Sequence, residues 1–107
     1  GLIGTSRVRQ IHQLQKFISR EVPDRVPLLV AGDFNEWGPK LHGMLAQHGL
    51  HNATGMPGCL TYPARLPLVQ LDHIYVRGLT PLGLKVPRGR IWWRMSDHLP
   101  LIAEFQV

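Results

Sequence analysis

Three short segments of the sequence combine a carboxylate with an amide or an imidazole beside an apolar run. They are Asp33 and Asn35 after "LLVAG", Asp72 in "LDHIYV", and the Asp97-His98 pair in "SDHLPL". An aspartate at the end of a strand can hold a divalent cation or align a nucleophilic water, and an asparagine can donate an N–H to a developing oxyanion. These segments are therefore the candidates for hydrolytic chemistry.

Each segment also has a plain structural interpretation. Asp33 and Asn35 fit an Asx-type turn, and Asp97 with His98 fits a polar loop before a final strand. Asp72 could be a strand-edge residue that reaches solvent. Alternation along the strand, however, puts Asp72 on the same face as Ile74 and Val76, where an unpaired carboxylate is costly. A partner such as a histidine N–H is therefore expected for Asp72, and His98 could serve as a general base or as an imidazolium contact to phosphate.

The elements that must position these residues follow from periodicity. Apolar residues at steps of three and four, Val8, Ile11, Leu14, Phe17 or Ile18, and Val22, predict a helix from Thr5 to Val22 that Thr5 or Ser6 caps and Pro23 ends. The run 28–31 predicts a strand covered on both faces, and 40–48 a second helix that begins at Pro39 and ends near Gly49. Strands are predicted at 59–62, 71–76, 84–86, 91–94 and 101–107. This order favours a mixed α/β layer with a central sheet and helices on one side.

The composition limits the classes of protein. A chain of 107 residues with 44% hydrophobic and 18% charged residues is one small domain or part of a larger one, and it is too apolar for a disordered tail. A net charge of +5, with nine arginines, predicts either a solvated basic surface or contact with a polyanion. A single cysteine, Cys59, excludes an internal disulfide and favours a reducing, cytoplasmic setting. No apolar run reaches the roughly 20 residues that a membrane span requires.

Taken in order, Gly-Asp-x-Asn after a strand, Leu-Asp-His-Ile and Ser-Asp-His-Leu-Pro resemble the endonuclease/exonuclease/phosphatase superfamily, which has the deoxyribonuclease I fold. The resemblance covers the whole chain, including "LTYPA" before the middle motif. It implies a divalent-metal-dependent hydrolase, a nuclease or phosphatase that cleaves phosphodiesters or phosphomonoesters by in-line water attack. It also implies one layer of a four-layer α/β sandwich, formed by a mixed, largely antiparallel sheet with helices on one face.

The resemblance implies a role for each candidate residue. Asp33 would align or activate the attacking water, Asn35 would steady the pentavalent phosphate, and Asp72 would orient His98, the catalytic histidine. Asp33, Asn35 and Asp97 would form the metal site for Mg²⁺, with Mn²⁺ as a substitute; the residue types agree, because Mg²⁺ prefers hard oxygen ligands. The expected partner is a phosphoester substrate, for which a nucleic acid and a phospholipid headgroup both remain open.

The chain departs from the superfamily in its extent. The resemblance implies that residues 1–107 correspond to the C-terminal half of the domain, without the N-terminal half and its early Asn and metal-binding Glu. Little activity is therefore expected from this chain alone, and a homodimer is expected through the sheet face that the missing half would cover. The alternative interpretation is a non-catalytic binding or scaffolding module that retains the fold.

Several other residues have a mainly structural interpretation. His73 is expected to pack or to lie on the surface, and Cys59 to be a small buried hydrophobe. Trp92 and Trp93 could stack on a base, but core packing for one and an interface contact for the other is the expectation. The remaining histidines, His12, His42, His48 and His51, have no metal-ligand spacing. The arginines Arg65, Arg88, Arg90 and Arg94 are either phosphate contacts or solvated surface.

Overall fold

The structure, a computed structural model, describes residues 2–34, 39–55 and 59–107. Within these residues the elements follow in the order α1 (Leu2–Glu21), β1 (Leu28–Asp33), α2 (Pro39–Gln47), β2 (His51–Asn52), β3 (Asp72–Arg77), β4 (Thr80–Lys85), α3 (Arg90–Trp93) and β5 (Ile102–Gln106). Both expected helices are confirmed, with α1 beginning before Thr5, so the predicted cap at Thr5 or Ser6 is wrong. No helix among the described residues is long and apolar enough to cross a membrane.

The strands pair in two antiparallel groups. The first has the order β1-β3-β2, and the second pairs β4 with β5. In the first group Leu28 lies opposite Arg77 and Asp33 lies opposite Asp72, so β1 ends where β3 begins. The expectation of a small α/β arrangement is confirmed, whereas the single mixed sheet is corrected: the pairs formed by the described strands are all antiparallel and lie in two groups.

The helices cover one face of β3. Ile11 and Ile18 of α1 pack with Leu45 of α2 and with Tyr75 of β3 in one buried cluster. Burial of a side chain such as Ile18, which is 3% exposed, contributes about 1.5–3 kcal/mol. Phe17 is 60% exposed, so Ile18 rather than Phe17 belongs to the apolar stripe of the helix.

The other face of β3 has its own apolar contacts. Ile74 and Val76 are buried there with Ala53, and Ala103 and Phe105 of β5 pack against them. On β1 this same face carries Leu29, which is 43% exposed. The prediction that residues 28–31 are covered on both faces is therefore wrong, because burial alternates along β1 and only one of its faces lies against the helices.

Buried Arg77 attaches the helical layer to the end of β3. Its guanidinium donates from Nε to the carbonyl of Val26 at 3.0 Å, from Nη1 to that of His48 at 2.8 Å, and from Nη2 to that of Pro23 at 2.8 Å. Pro23 follows α1, and His48 follows α2. One cation therefore satisfies carbonyls at the C-terminal ends of both helices, where the helix dipole favours positive charge.

Two predictions on the later strands need correction. Residues 91–94 were expected to form a strand, but α3 is helical there and has no buried residue, so core packing of Trp92 or Trp93 is also wrong. Residues 59–62 form only an isolated bridge between Tyr62 and Val69 rather than a strand. Cys59 is a free, buried cysteine, as expected.

Candidate active site

Two aspartates face each other where β1 ends and β3 begins. Asp33 is the last residue of β1, Asp72 is the first of β3, and the antiparallel register makes them direct partners. Directly opposed residues of an antiparallel pair point to the same face, and like charges in such a pair are destabilising. The pairing is thus a costly arrangement that calls for a compensating group nearby.

His98 is brought to this pair by main-chain hydrogen bonds between two loop segments. The N–H of Leu99 donates to the carbonyl of Thr61 at 2.8 Å, and the N–H of Ala64 donates to the carbonyl of Asp97 at 2.7 Å. The N–H of His98 itself donates to Ser96 Oγ at 3.2 Å. The segment before β5 is therefore fixed against the segment that leads into β3, and His98 lies between the two residues that make these bonds, Asp97 and Leu99.

The imidazole of His98 bridges the two carboxylates. Nδ1 is 2.7 Å from Asp72 Oδ2, a hydrogen bond in which the carboxylate accepts, while Nε2 is 3.8 Å from Asp33 Oδ2. The second distance is too long for a hydrogen bond and is an electrostatic contact. The predicted meeting of Asp33, Asp72 and His98 is therefore present, and its geometry leaves Nε2 directed toward Asp33.

The Asp72 carboxylate also favours the charged form of the histidine. Its hydrogen bond raises the pKa of His98 above the usual value, and the negative charges of Asp72, Asp33 and Asp97 raise that pKa further, against an opposing effect of desolvation. Because Nδ1 is hydrogen-bonded to the carboxylate, the proton on Nδ1 is directed toward Asp72. Nε2 is thus the ring nitrogen that can accept or donate a proton on the open side.

A shallow cleft of about 250 Å³ lies beside these residues. Its walls include Gly32 and Ile74 from the two strands, together with Asp72 and His98. The ring of Tyr62 lies next to His98, with 5.2 Å between centroids. The Asp33 side chain is 48% exposed and that of His98 is 28% exposed, so a ligand in water can reach both.

The remaining predicted site residues have different outcomes. Asn35, expected to contact phosphate and metal, lies outside the described residues. Asp97 is exposed and its charge acts on His98, while its main-chain carbonyl accepts a hydrogen bond from the N–H of Ala64. His73 lies on the helical side, where its ring stacks at 6.2 Å from that of Tyr75, in agreement with a packing role.

The carboxylate oxygens of the site are suitable ligands for a hard cation, but the described residues provide few of them. Among the described residues, no group of three His, Cys, Asp or Glu side chains is arranged to hold a metal ion. Mg²⁺ commonly uses one or two protein carboxylates and completes its coordination with water and substrate phosphate. The exposed Asp33 carboxylate fits that kind of coordination. Because Asn35 lies outside the described residues, the assignment of Asp33, Asn35 and Asp97 as metal ligands stays a prediction.

Sequence reasoning missed Thr61, which shares Asp72 with the histidine. Its hydroxyl donates to Asp72 Oδ2 at 2.6 Å, and the residue is fully buried. The same carboxylate oxygen therefore accepts from both Thr61 and His98. The threonine in "LTYPA" could have indicated such a contact, because it is a hydroxyl residue in a mainly apolar segment. The contact itself could not be predicted, since it depends on the chain folding back between Tyr62 and Val69.

Comparisons with known proteins give relatives without a described activity. The chain is 38% identical over 112 residues to the uncharacterized protein YbhP of Escherichia coli K12, in a match that covers 100% of this chain and 44% of YbhP. It is 31% identical over 111 residues to a UPF0294 protein of Vibrio campbellii, covering 98% of this chain and 36% of that protein. A UPF0294 protein of Yersinia pestis is 38% identical over 85 residues, which are 77% of this chain and 30% of the relative.

No family model matches the chain. The chain spans less than half the length of the curated relatives that it matches. Because the names of these relatives carry no activity, the function has to be argued from the geometry of Asp33, Asp72 and His98.

Proposed function

We propose that this chain is part of a divalent-metal-dependent phosphoesterase of the endonuclease/exonuclease/phosphatase superfamily, which hydrolyses phosphodiesters or phosphomonoesters by in-line attack of water. The observation that carries the proposal is the bridging imidazole, with Nδ1 of His98 at 2.7 Å from Asp72 and Nε2 at 3.8 Å from Asp33. Asp33, Asp72 and His98 come from three separate motifs that span 65 positions of the sequence, and they meet where β1 ends and β3 begins. A packing role alone does not require two carboxylates to converge on one histidine beside a cleft.

The contacts support the role that we propose for each residue. Asp72 holds the Nδ1 proton and orients the ring, and Thr61 in turn holds Asp72. His98, whose raised pKa favours the imidazolium, can donate from Nε2 to a phosphoryl oxygen and neutralise charge there. Asp33, whose carboxylate is 3.8 Å from Nε2 and whose side chain is 48% exposed, would align the attacking water and accept its proton.

A Mg²⁺ ion, when bound, supplies positive charge to the phosphoryl oxygens and lowers the pKa of a coordinated water. Asp33, Asn35 and Asp97 are the residues proposed to hold it. The chain is proposed to form one layer of the deoxyribonuclease-I-like sandwich. This agrees with the exposed Leu29 on the face of β1 opposite the helices and with the greater length of the relatives.

The test measures Mg²⁺-dependent hydrolysis of a chromogenic phosphodiester by a protein in which this chain is joined to the remainder of its domain. His98→Ala and Asp33→Asn are each expected to lower kcat about 10²–10⁴-fold, the range for loss of a positioned acid or base. His12→Ala and Asp24→Asn, which change exposed residues of the same types away from the site, are the matched controls and should keep the full rate.

Two results would overturn the proposal. One is turnover that is unchanged in His98→Ala, and the other is a joined protein that hydrolyses neither phosphodiesters nor phosphomonoesters with Mg²⁺ or Mn²⁺. Calorimetry provides a second readout, since Mg²⁺ binding should weaken in Asp33→Asn and not in Asp24→Asn. The 107-residue chain alone is expected to turn over slowly or not at all, because a metal ion that so few carboxylates coordinate is bound weakly.

A further inference from the structure

Four large apolar side chains are exposed on two segments of the chain, one a loop and the other containing α3. Leu66 and Leu68 are each 65% exposed, Ile91 is 67% exposed, and Met95 is 73% exposed. They belong to residues 62–68 and 88–95, which we call the rim surface. Single exposed apolar residues are ordinary on proteins, but a concentration of them in one place marks an interaction site.

The two segments of the rim surface are joined to each other and to the site. The guanidinium of Arg65 lies 4.2 Å from the ring centroid of Trp93, a cation–π contact between the segments. The Tyr62 ring lies 5.2 Å from that of His98, and Ala64 is hydrogen-bonded to Asp97. The rim surface therefore borders the cleft, and a partner bound there would stand beside the reacting groups.

The charge of the rim surface has one sign. Residues 62–68 and 88–95 contain four arginines and no Asp or Glu. Arg65, Arg88, Arg90 and Arg94 are all exposed. The complementary partner is thus an anionic surface that also accepts aliphatic side chains.

We propose that the rim surface docks on an anionic lipid bilayer, and that the site beside it acts on phosphoesters presented at that bilayer. Arginines would contact the lipid phosphates while Leu66, Leu68, Ile91 and Met95 enter the boundary between headgroups and acyl chains. A nucleic acid would also use the arginines, but single strands bind by stacking on aromatic rings, and the aromatic rings of the rim surface are less exposed than its aliphatic side chains: Tyr62 is 37% exposed, and Trp92 and Trp93 are half-buried.

The assay is sedimentation with sucrose-loaded vesicles made of equal parts phosphatidylglycerol and phosphatidylcholine, compared with vesicles of phosphatidylcholine alone. Binding is expected to anionic vesicles and to fall as salt rises. The double variant Arg90→Ala/Arg94→Ala should lower the partition coefficient about 25-fold at low salt, from about fivefold for each arginine near an anionic surface. Leu66→Asn/Ile91→Asn should lower it at least about tenfold, because two apolar side chains no longer enter the interface.

Matched controls lie on α1, outside the rim surface. Phe17 on α1 is 60% exposed, so Phe17→Asn removes a comparable apolar side chain. Arg9→Ala/Arg20→Ala removes two exposed arginines from the same helix. Both control variants should bind vesicles as the unchanged protein does, and far-UV circular dichroism should show that every variant is folded.

The docking step rests on the rim surface, whereas its consequence for the substrate rests on the proposed function. The two are separated by His98→Ala, which should bind vesicles normally while losing hydrolysis. Leu66→Asn/Ile91→Asn should retain hydrolysis of a water-soluble phosphodiester and lose vesicle binding. Folded protein that fails to sediment with anionic vesicles at low salt would overturn the docking proposal. Binding to a DNA duplex instead of to vesicles would also overturn it, if that binding is lost in Arg90→Ala/Arg94→Ala and retained in Leu66→Asn/Ile91→Asn.

Discussion

Replacing Arg77 by methionine tests how the helical layer is held to the sheet. The side chain is buried, and its three nitrogens donate to the carbonyls of Val26, His48 and Pro23. Methionine has a similar length and fills the same space without donors. The variant therefore removes the hydrogen bonds and the charge while it leaves most of the packing.

The expected loss can be worked from these contacts. Hydrogen bonds that involve a charged group contribute about 1.5–3 kcal/mol each, which gives about 4.5–9 kcal/mol for three. Against this, methionine no longer bears the desolvation penalty of a buried cation, which is several kcal/mol. Pro23 and Val26 are exposed, so their carbonyls regain hydrogen bonds to water. We expect a net fall of about 3 kcal/mol in the free energy of unfolding, a large part of the roughly 5–15 kcal/mol of a typical domain.

Urea denaturation followed by far-UV circular dichroism measures this loss. Arg9→Met is the control, because Arg9 is exposed on α1 and methionine is an equally good helix former; its free energy of unfolding should change by less than about 0.5 kcal/mol. Arg77→Lys should fall between the two, since an ammonium cannot reach three divergent carbonyls. If Arg77→Met cost no more than the control, Arg77 would not stabilise the helix ends and the reasoning would be refuted.

Three further predictions concern the site and the exposed sheet face. Thr61→Val should lower the free energy of unfolding by about 1.5–3 kcal/mol, since Asp72 loses a donor, while exposed Thr80→Val should leave it nearly unchanged in the same urea titration. Because the pKa of His98 is raised in the folded state, the stability that this residue contributes is present below its ordinary value of 6.5 and is lost as pH rises through the raised folded value. Denaturation midpoints across this window should show the loss, and Asp72→Asn should remove most of it, since the hydrogen bond to Asp72 is the largest cause of the raised pKa. Light scattering of the chain should give a dimer at high concentration, and a clean monomer would contradict association through the exposed sheet face.

Much of the site was readable from the sequence because strand geometry is local. Alternation along "LDHIYV" puts Asp72 on the same face as Ile74 and Val76, and the structure has this arrangement, with His73 and Tyr75 toward the helices. The expectation that Asp72 requires a hydrogen-bond partner is confirmed, and His98 is that partner. Both follow from two physical rules, the twofold period of a strand and the cost of an unpaired carboxylate.

The errors arose where a short run has no periodicity or where tertiary contacts decide. Four residues, Ile91 to Arg94, are too few to separate a strand from one turn of helix, and their bulky side chains suggested a strand that the chain does not form. The contact from Thr61 to Asp72 spans 11 residues and exists only because the chain folds back through the Tyr62–Val69 bridge. The exposure of Leu29 was missed because the continuous apolar run of β1 resembles a strand buried on both sides.

The opposed aspartates explain why the histidine belongs to the site rather than merely near it. Asp33 and Asp72 are direct partners across the β1–β3 ladder, an arrangement that raises the free energy of the folded state when both are ionised. His98 contacts Asp72 and lies 3.8 Å from Asp33, and its raised pKa shows that the carboxylates favour its charged form. Because Nδ1 is committed to Asp72, a phosphoryl group entering the cleft would compete with Asp33 for Nε2 alone. The arrangement therefore keeps one nitrogen in a structural hydrogen bond and leaves the other accessible, which is the division of roles that the proposed phosphoester hydrolysis would require.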